Sequence, residues 1–405
     1  MRAFLHSLRG RKPVSATPEE RNEYYENISA NLGIFQVILY LSLFAFVILS
    51  FAKNTNLITY QNFYYFFKDL NASMQTVETD LPDSVTYPTD TEQSITLFRQ
   101  GVAVAGNHNV TVFTATGRQT VSQIVNFSSP VAVASDKYLL VYDLGGTKYA
   151  LYNSYTQVYS GESDYPILGA SISDAGSYAL ITQSKDYASV VSLYSNHFTL
   201  IGRYQKKGYV MDVAINEKGN LLAILASEAQ NGFWSTSLEL FKPGEREARA
   251  KTLLDDSVGL ACAFTASDTV SVLSENTVFY VKDTGKIVGE HSLDGREVTH
   301  FELGEYGVSV LLRATSVSEK NTLMIFDKNG KILYNEEEPE RSEQMARTKD
   351  AIYLLTVNGV GRIDLKNKTY SSVSCKTQDR RLLAVDRSEF LLCSPQKAEY
   401  YQVGS

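Results

Sequence analysis

Between residues 94 and 405 the chain repeats itself at one interval, and that interval limits the fold more than any other feature. Turns recur at Gly117, Ser154, His197, Gly244, Gly285, Gly330 and Asn367, in steps of 37, 43, 47, 41, 45 and 37 residues. The mean, about 42, is the length of a four-stranded propeller blade. A second series runs in phase with the first. Strands leading each unit are predicted near Ile95, Pro130, Leu168, Met211, Gly259, His300, Gln344 and Arg381. Each is followed within a few residues by another apolar run, such as "YLLVYDL", "SYALITQ" and "AIYLLTV". The 26 Tyr and 19 Phe add to this strand-favouring texture. The spacing therefore predicts an all-β propeller of eight blades, with seven as the alternative if one unit has been split. The last unit has three strands, and propellers commonly close the ring with a strand from the start of the domain. "SVTY", residues 84–87, is the candidate. Closing the ring removes exposed sheet edges.

Ahead of the repeats, residues 32–52 read "LGIFQVILYLSLFAFVILSFA", 21 residues without a charge. At about 1.5 Å per residue this length matches a hydrocarbon core of about 30 Å. A single transmembrane helix is expected, uncleaved, because 31 residues precede the run and it exceeds a signal-peptide core. Arg2, Arg9, Arg11, Lys12 and Arg21 precede the span, against Lys53 and Lys68 in the 20 residues after it. That bias places the N-terminus inside and the propeller outside the cytoplasm. The expected organisation is a cytoplasmic tail (1–31), the membrane helix (32–52), a juxtamembrane interfacial segment (53–74), a linker (75–93) and the propeller (94–405). "LITYQNFYYFFKDL", residues 57–70, supplies the interfacial aromatics, and the linker is rich in Thr, Asp and Pro.

Two turns, "SDAGSYAL" (173–180) and "NEKGNLLA" (216–223), place an acid, one residue and then Gly ahead of a strand. "ISDAGSYALI" resembles the turn between the first two strands of a blade in the WD40-like and quinoprotein-like propeller superfamilies. The resemblance covers residues 94–405 as repeat texture. Taken whole, the chain also resembles a bacterial family with one N-terminal span, an aromatic juxtamembrane stretch, a polar linker and one propeller. That resemblance implies membrane attachment and fold, and no activity.

No compact catalytic pattern emerges. "KDTGKIVGE" resembles the Asp-x-x-Thr-Gly-Lys part of the quinoprotein repeat at Thr284, Gly285 and Lys286, with Asp283 directly before the Thr. Gly289 and Glu290 stand where that family carries its docking Trp. No quinone cofactor is predicted. "FDKNGKILYN", residues 326–335, offers Asp327, Asn329 and Glu338 at calcium-loop positions, but Ile332 stands where the loop requires Gly. "TGKI" fails as a phosphate loop, with Tyr280 in place of the first Gly and Ile287 after the Lys. Both stretches are expected to be hairpins of the two-residue primed type. His6, His108, His197, His291 and His300 lack metal-ligand spacing, and no Gly-x-Ser-x-Gly elbow occurs. Cys262, Cys375 and Cys393 are expected to be unpaired. "NEEEPERSE" (335–343), "QKKGY" (205–209) and Asp255-Asp256 are expected to be solvated turns. Asn-x-Ser/Thr sequons at Asn71, Asn109, Asn126 and Asn367 occur at near-chance frequency. A net charge of −7 argues against a nucleic-acid partner. No catalytic, cofactor or metal residue is assigned.

The leading expectation is a membrane-anchored, non-catalytic protein-interaction or scaffold module, since repeat rings present broad binding surfaces. The alternative is a tethered enzyme or ligand sensor using the central channel, whose site residues would be scattered over several blades. Three or more Asp, Glu, His or Arg side chains converging on the channel mouth would favour that alternative. An apolar plug would exclude an enzyme.

Overall fold

A computed structural model describes residues 32, 35–45 and 84–403, apart from 231, 255–256, 317–319 and 379. The expected tail, the interfacial segment, Asp255-Asp256, His6 and Asn71 lie outside the described residues. The chain divides into two compact units, Met1–Val77 and Glu78–Ser405. In the first unit residues 35–45 are helical, and Phe35, Ile38, Leu41 and Phe44 are all exposed. Among the described residues no helix is long and apolar enough to cross a membrane. Nearly half of the expected span lies outside them.

The second unit is an eight-bladed β-propeller. Among the described residues, 32 strands form eight four-stranded antiparallel sheets. Blades 1 to 7 span residues 93–124, 130–162, 167–206, 209–253, 259–292, 298–337 and 342–374, each with its strands in chain order. Blade 8 takes three strands from residues 381–402, and its fourth strand is Ser84–Thr86. Ser84, Val85 and Thr86 pair with Glu399, Ala398 and Lys397, so the "SVTY" stretch closes the ring as the sequence suggests. The propeller thus begins ahead of the boundary expected at residue 94. Tyr87 locks the closure: its hydroxyl donates to Ser394 O at 2.6 Å, and its ring is 6% exposed.

The long apolar runs follow from this architecture. One hydrophobic cluster fills each junction between neighbouring blades, eight in all, with residues from both sheets. A middle strand is therefore covered on both faces, and period-two alternation disappears. The second strands of blades 1, 5, 6 and 7 (Gly101–Gly106, Thr269–Ser274, Gly307–Leu312 and Ala351–Thr356) are buried at every residue. Each buried Val, Leu, Ile or Phe contributes roughly 1.5–3 kcal/mol. Fourth strands alternate instead, because their outer side meets solvent; Ile287–Ser292 is an example.

The turns that mark the repeat join the third and fourth strands of blades 1 to 7. They are not two-residue primed turns. In blade 6, Gly330 N bonds Asp327 O at 3.1 Å and Asp327 N bonds Lys331 O at 2.8 Å. The Asp327 carboxylate accepts from Asn329 N and Lys331 N, both at 2.8 Å. Gly330 alone takes positive φ, +86°, and the register shifts between Ile325 and Phe326. This is an ordinary four-residue turn closed by a left-handed glycine and a bulge. Gly117 and Gly285 repeat it, while Phe198 (φ 62°) takes the left-handed place in blade 3. Asp327 is thereby committed to its own backbone, and Tyr280 of blade 5 donates its hydroxyl to Asp327 O at 3.0 Å. The turn is a contact between blades.

Candidate functional site: the channel mouth

The first strand of each blade lines the central channel and turns one backbone edge toward it. Such edges need partners. Here polar side chains from one first strand bond to the backbone of the next. Ser94 Oγ accepts from Ala132 N at 3.2 Å, Asp212 Oδ2 from Cys262 N at 2.9 Å, and Gln344 Oε1 from Leu382 N at 3.2 Å. Glu302 accepts from the backbone of Arg347. Register shifts in the first strands of blades 4, 6 and 7 lie within three residues of Asp212, Glu302 and Gln344 and re-aim the strand there. Burial pushes the Asp212 carboxyl up to about 6, and that of Glu302 up to about 7.

At one end of the channel the loops joining first and second strands meet. In blades 2 to 8 each of these loops carries an acid: Asp136, Asp174, Glu217, Asp268, Glu305, Asp350 and Asp386. Blade 1 has Arg99 and Gln100 there, both at positive φ. The loops are chained around the mouth. Arg99 Nε donates to Asp136 O at 3.0 Å, Asp136 N to Asp174 Oδ1 at 2.7 Å, Ala175 N to Glu217 O at 3.2 Å, and Asn216 Nδ2 to Ser267 O at 3.2 Å. The carboxylates feel one another. Burial raises Asp136 above its ordinary value, and the charges of Asp174, Glu305 and Glu217 add to this against Arg99. Tyr306 is pushed up to about 12, first by its hydrogen bond to Glu305, then by burial and by the charges of Glu305, Asp136 and Asp350.

The mouth opens into a cavity of about 880 Å³. Five carboxylates line it (Asp136, Asp174, Glu217, Glu305, Asp327) against three cations (Lys328, Arg347, Lys349). Acids from blades 2, 3, 4 and 6 thus converge on one open space, whose wall also carries apolar side chains such as Val133, Ile172, Ile215 and Phe264. Among the described residues no group of three or more His, Cys, Asp or Glu side chains could hold a metal ion. The arrangement suits a cationic partner held by charge and hydrogen bonds.

The stretches that drew attention in the sequence serve the ring. Glu338, within the acidic run, is 1% exposed, not solvated; it accepts from Asn321 N at 3.3 Å and Ser342 N at 3.0 Å, and from the Ser342 hydroxyl. Lys206 of "QKKGY" pairs with Glu239 and lies 4.8 Å over Phe241. His108 bonds Asp90 at 2.8 Å, His291 packs 4.7 Å from Phe326, and His300 lines the channel. Cys262, Cys375 and Cys393 are free thiols. The mouth acids were not singled out as a site from the sequence, although Asp174 and Glu217 belong to the "SDAG" and "NEKG" turns. Stacking the same loop from every blade shows the acidic column.

The comparisons agree with this fold. A family model matches residues 76–402, most of the chain. The chain belongs to DUF5711, a family of unknown function. No curated protein matches it. Among solved structures it is similar to the computationally designed Ika8 protein, at 11% identity and TM-score 0.55, covering 79% of this chain and 99% of that one. It is similar to Chaetomium thermophilum Sqt1 bound to the N-terminus of ribosomal protein L10, at 10% identity and TM-score 0.54, covering 79% and 100%. A eukaryotic initiation factor follows at 14% identity and TM-score 0.52, covering 78% and 83%. At these identities the likeness concerns the fold.

Proposed function

We propose that this member of DUF5711 is a membrane-anchored binding module that uses its central channel, as the ligand-binding alternative requires, and whose channel mouth takes a basic segment of a protein partner. The convergence of Asp136, Asp174, Glu217 and Glu305 on one cavity carries the reading. Like charges brought together across a ring destabilise one another, and a cationic partner relieves that repulsion. Sqt1, a chain of similar fold, is described bound to a polypeptide N-terminus, which supports a peptide at such a ring. An acidic mouth also disfavours nucleic acid, whose phosphates need Lys and Arg. The anchor is supported by the uncharged run 32–52 and by the apolar side chains exposed on residues 35–45. The charge bias around that run supports a cytoplasmic N-terminus and an extracytoplasmic propeller.

The test uses the full chain in lipid nanodiscs and a fluorescent Lys/Arg-rich decapeptide. Binding is expected to weaken steeply with salt and to fall by about tenfold or more in the triple variant Asp136→Asn, Asp174→Asn, Glu217→Gln. Salt-independent binding, or the same affinity in the triple variant, overturns the reading. Protease accessibility of the propeller in sealed vesicles tests the topology; an accessible domain on the cytoplasmic side overturns it.

A further inference from the structure

Deeper in the channel, between blades 6 and 7, an acid and a base lie side by side without joining. Glu302, on the first strand of blade 6, accepts from the Arg347 backbone, and its Oε2 is buried with no hydrogen-bond partner. Arg347, on the first strand of blade 7, is 8% exposed. Two of its nitrogens are held: Nη1 donates to Ser309 Oγ at 3.1 Å and Nη2 to Tyr306 O at 2.7 Å. Its Nε is buried and unpartnered. Ordinarily such groups close into an ion pair, since leaving a buried charged group unsatisfied costs several kcal/mol. Here each is fixed by other bonds, and both line one cavity of about 690 Å³. Arg347 also borders the mouth cavity, where a buried hydroxyl, Thr265 Oγ1, is unpartnered.

The charge of this inner cavity differs from that of the mouth. Glu302 and Glu343 face Arg347 and Arg381, with His300 beside them. Two carboxylates against two guanidiniums make a balanced site, which favours neither a simple cation nor a simple anion. We infer that the inner channel is a binding site for a small zwitterion, a molecule carrying an ammonium and a carboxylate, of the size of an amino acid or dipeptide. Glu302 Oε2 and Arg347 Nε are both enclosed, so binding turns the Glu302 and Arg347 side chains toward the cavity; the ammonium then donates to Glu302 Oε2, and the carboxylate accepts from Arg347 Nε. A cavity of this volume accommodates such a ligand. The inference goes beyond the binding of a basic peptide at the mouth and uses none of the three acids that test it.

Calorimetric titration of the full chain in nanodiscs decides it. The probes are glycine, L-alanine and glycylglycine, with methylammonium chloride and sodium acetate as single-charge controls. At least one zwitterion is expected to bind saturably, about tenfold or more tighter than either control. Glu302→Gln is expected to weaken it by about tenfold or more, and Arg347→Lys, which keeps the charge and removes Nε, by a smaller factor. Absence of saturable binding by all three zwitterions overturns the inference. So does equal affinity for methylammonium or acetate, or unchanged affinity in a Glu302→Gln protein that melts like the parent. Glu302→Gln is isosteric and decides the matter if Arg347→Lys fails to fold. The triple mouth variant is expected to bind the zwitterion unchanged, which separates this site from the peptide site.

Discussion

Two carboxylates at the boundary of blades 6 and 7 have opposite circumstances. Glu338, in the connection on the outer side, is enclosed and accepts three hydrogen bonds. Glu302, on the channel wall, has one oxygen engaged and the other buried without a partner. The first is a structural pin: its donors fill its lone pairs and nothing is left for a ligand. The second is held in place and still has capacity. At this boundary the outer connection satisfies Glu338 internally, whereas the channel wall leaves Glu302 Oε2 and Arg347 Nε open. Binding chemistry belongs where satisfaction is incomplete.

That contrast can be broken by substitution. Glu338→Ala leaves two backbone N–H groups and a hydroxyl unsatisfied and is expected to cost about 3–5 kcal/mol, read as a fall in the urea midpoint. Glu302→Gln is expected to cost far less, and a comparable loss at both positions would erase the distinction. Tyr87→Ala removes a buried ring and the bond to Ser394 at the ring closure, and is expected to cost about 3–4 kcal/mol in the same measurement.

The pH dependence sharpens the comparison. The folded Asp212 and Glu302 carboxyls sit at about 6 and about 7, above their ordinary values. Between the ordinary and the raised value the folded chain holds protons that the unfolded chain has lost. The contribution of these two groups to stability is therefore full below about pH 4, falls as pH rises toward 7, and is level above that. Each group accounts for roughly 2–3 kcal/mol of the fall. Asp364, held at about 2 first by its hydrogen bond from Arg387, acts in the opposite sense and at lower pH. Unfolding at pH 5 and pH 7.5 is expected to show the loss, and Asp212→Asn with Glu302→Gln to flatten it. A pH-independent parent would contradict the burial of both groups.

The smallest effects concern the turns. Gly330→Ala forces a Cβ into left-handed backbone and to 2.9 Å from the Tyr280 ring, and is expected to cost about 1–2 kcal/mol. Phe198→Gly relieves the same backbone position in blade 3 but loses a ring stacked 4.6 Å from Tyr159. The two terms are of similar size, so the melting temperature is expected to move little.

The ring was legible in the sequence because its turns impose local chemistry. The repeat turns of blades 1 and 3 to 7 each contain a left-handed residue, and Gly117, Gly285 and Gly330 announce it. The apolar runs were legible because middle strands are buried on both faces. The turn type was not: Asn329-Gly330 invites a primed hairpin, but the Asp327 side chain captures the Asn329 and Lys331 amides and builds a longer turn. The acidic run misled for a similar reason, since nothing local distinguishes Glu338 from its exposed neighbours. The mouth stayed hidden because its acids arrive one per blade, as with Asp136 and Asp174, which are 38 residues apart. Glu302 and Arg347 are marked only by the absence of partners, and no sequence pattern records an absence.

The ring closure has a consequence for how the protein is made. Tyr87 emerges from the ribosome 307 residues before Ser394, the group it must bond. At about 5–20 residues per second, the wait is on the order of 15–60 s. Through that interval blade 1 has no neighbour on one side, and the strand Ser84–Thr86 has no sheet to join. Closure cannot precede the synthesis of Lys397–Glu399, the residues that Ser84–Thr86 pair with. A chain stalled or truncated before Lys397 presents an open, unpaired blade, which gives quality-control machinery a clear mark of an unfinished molecule.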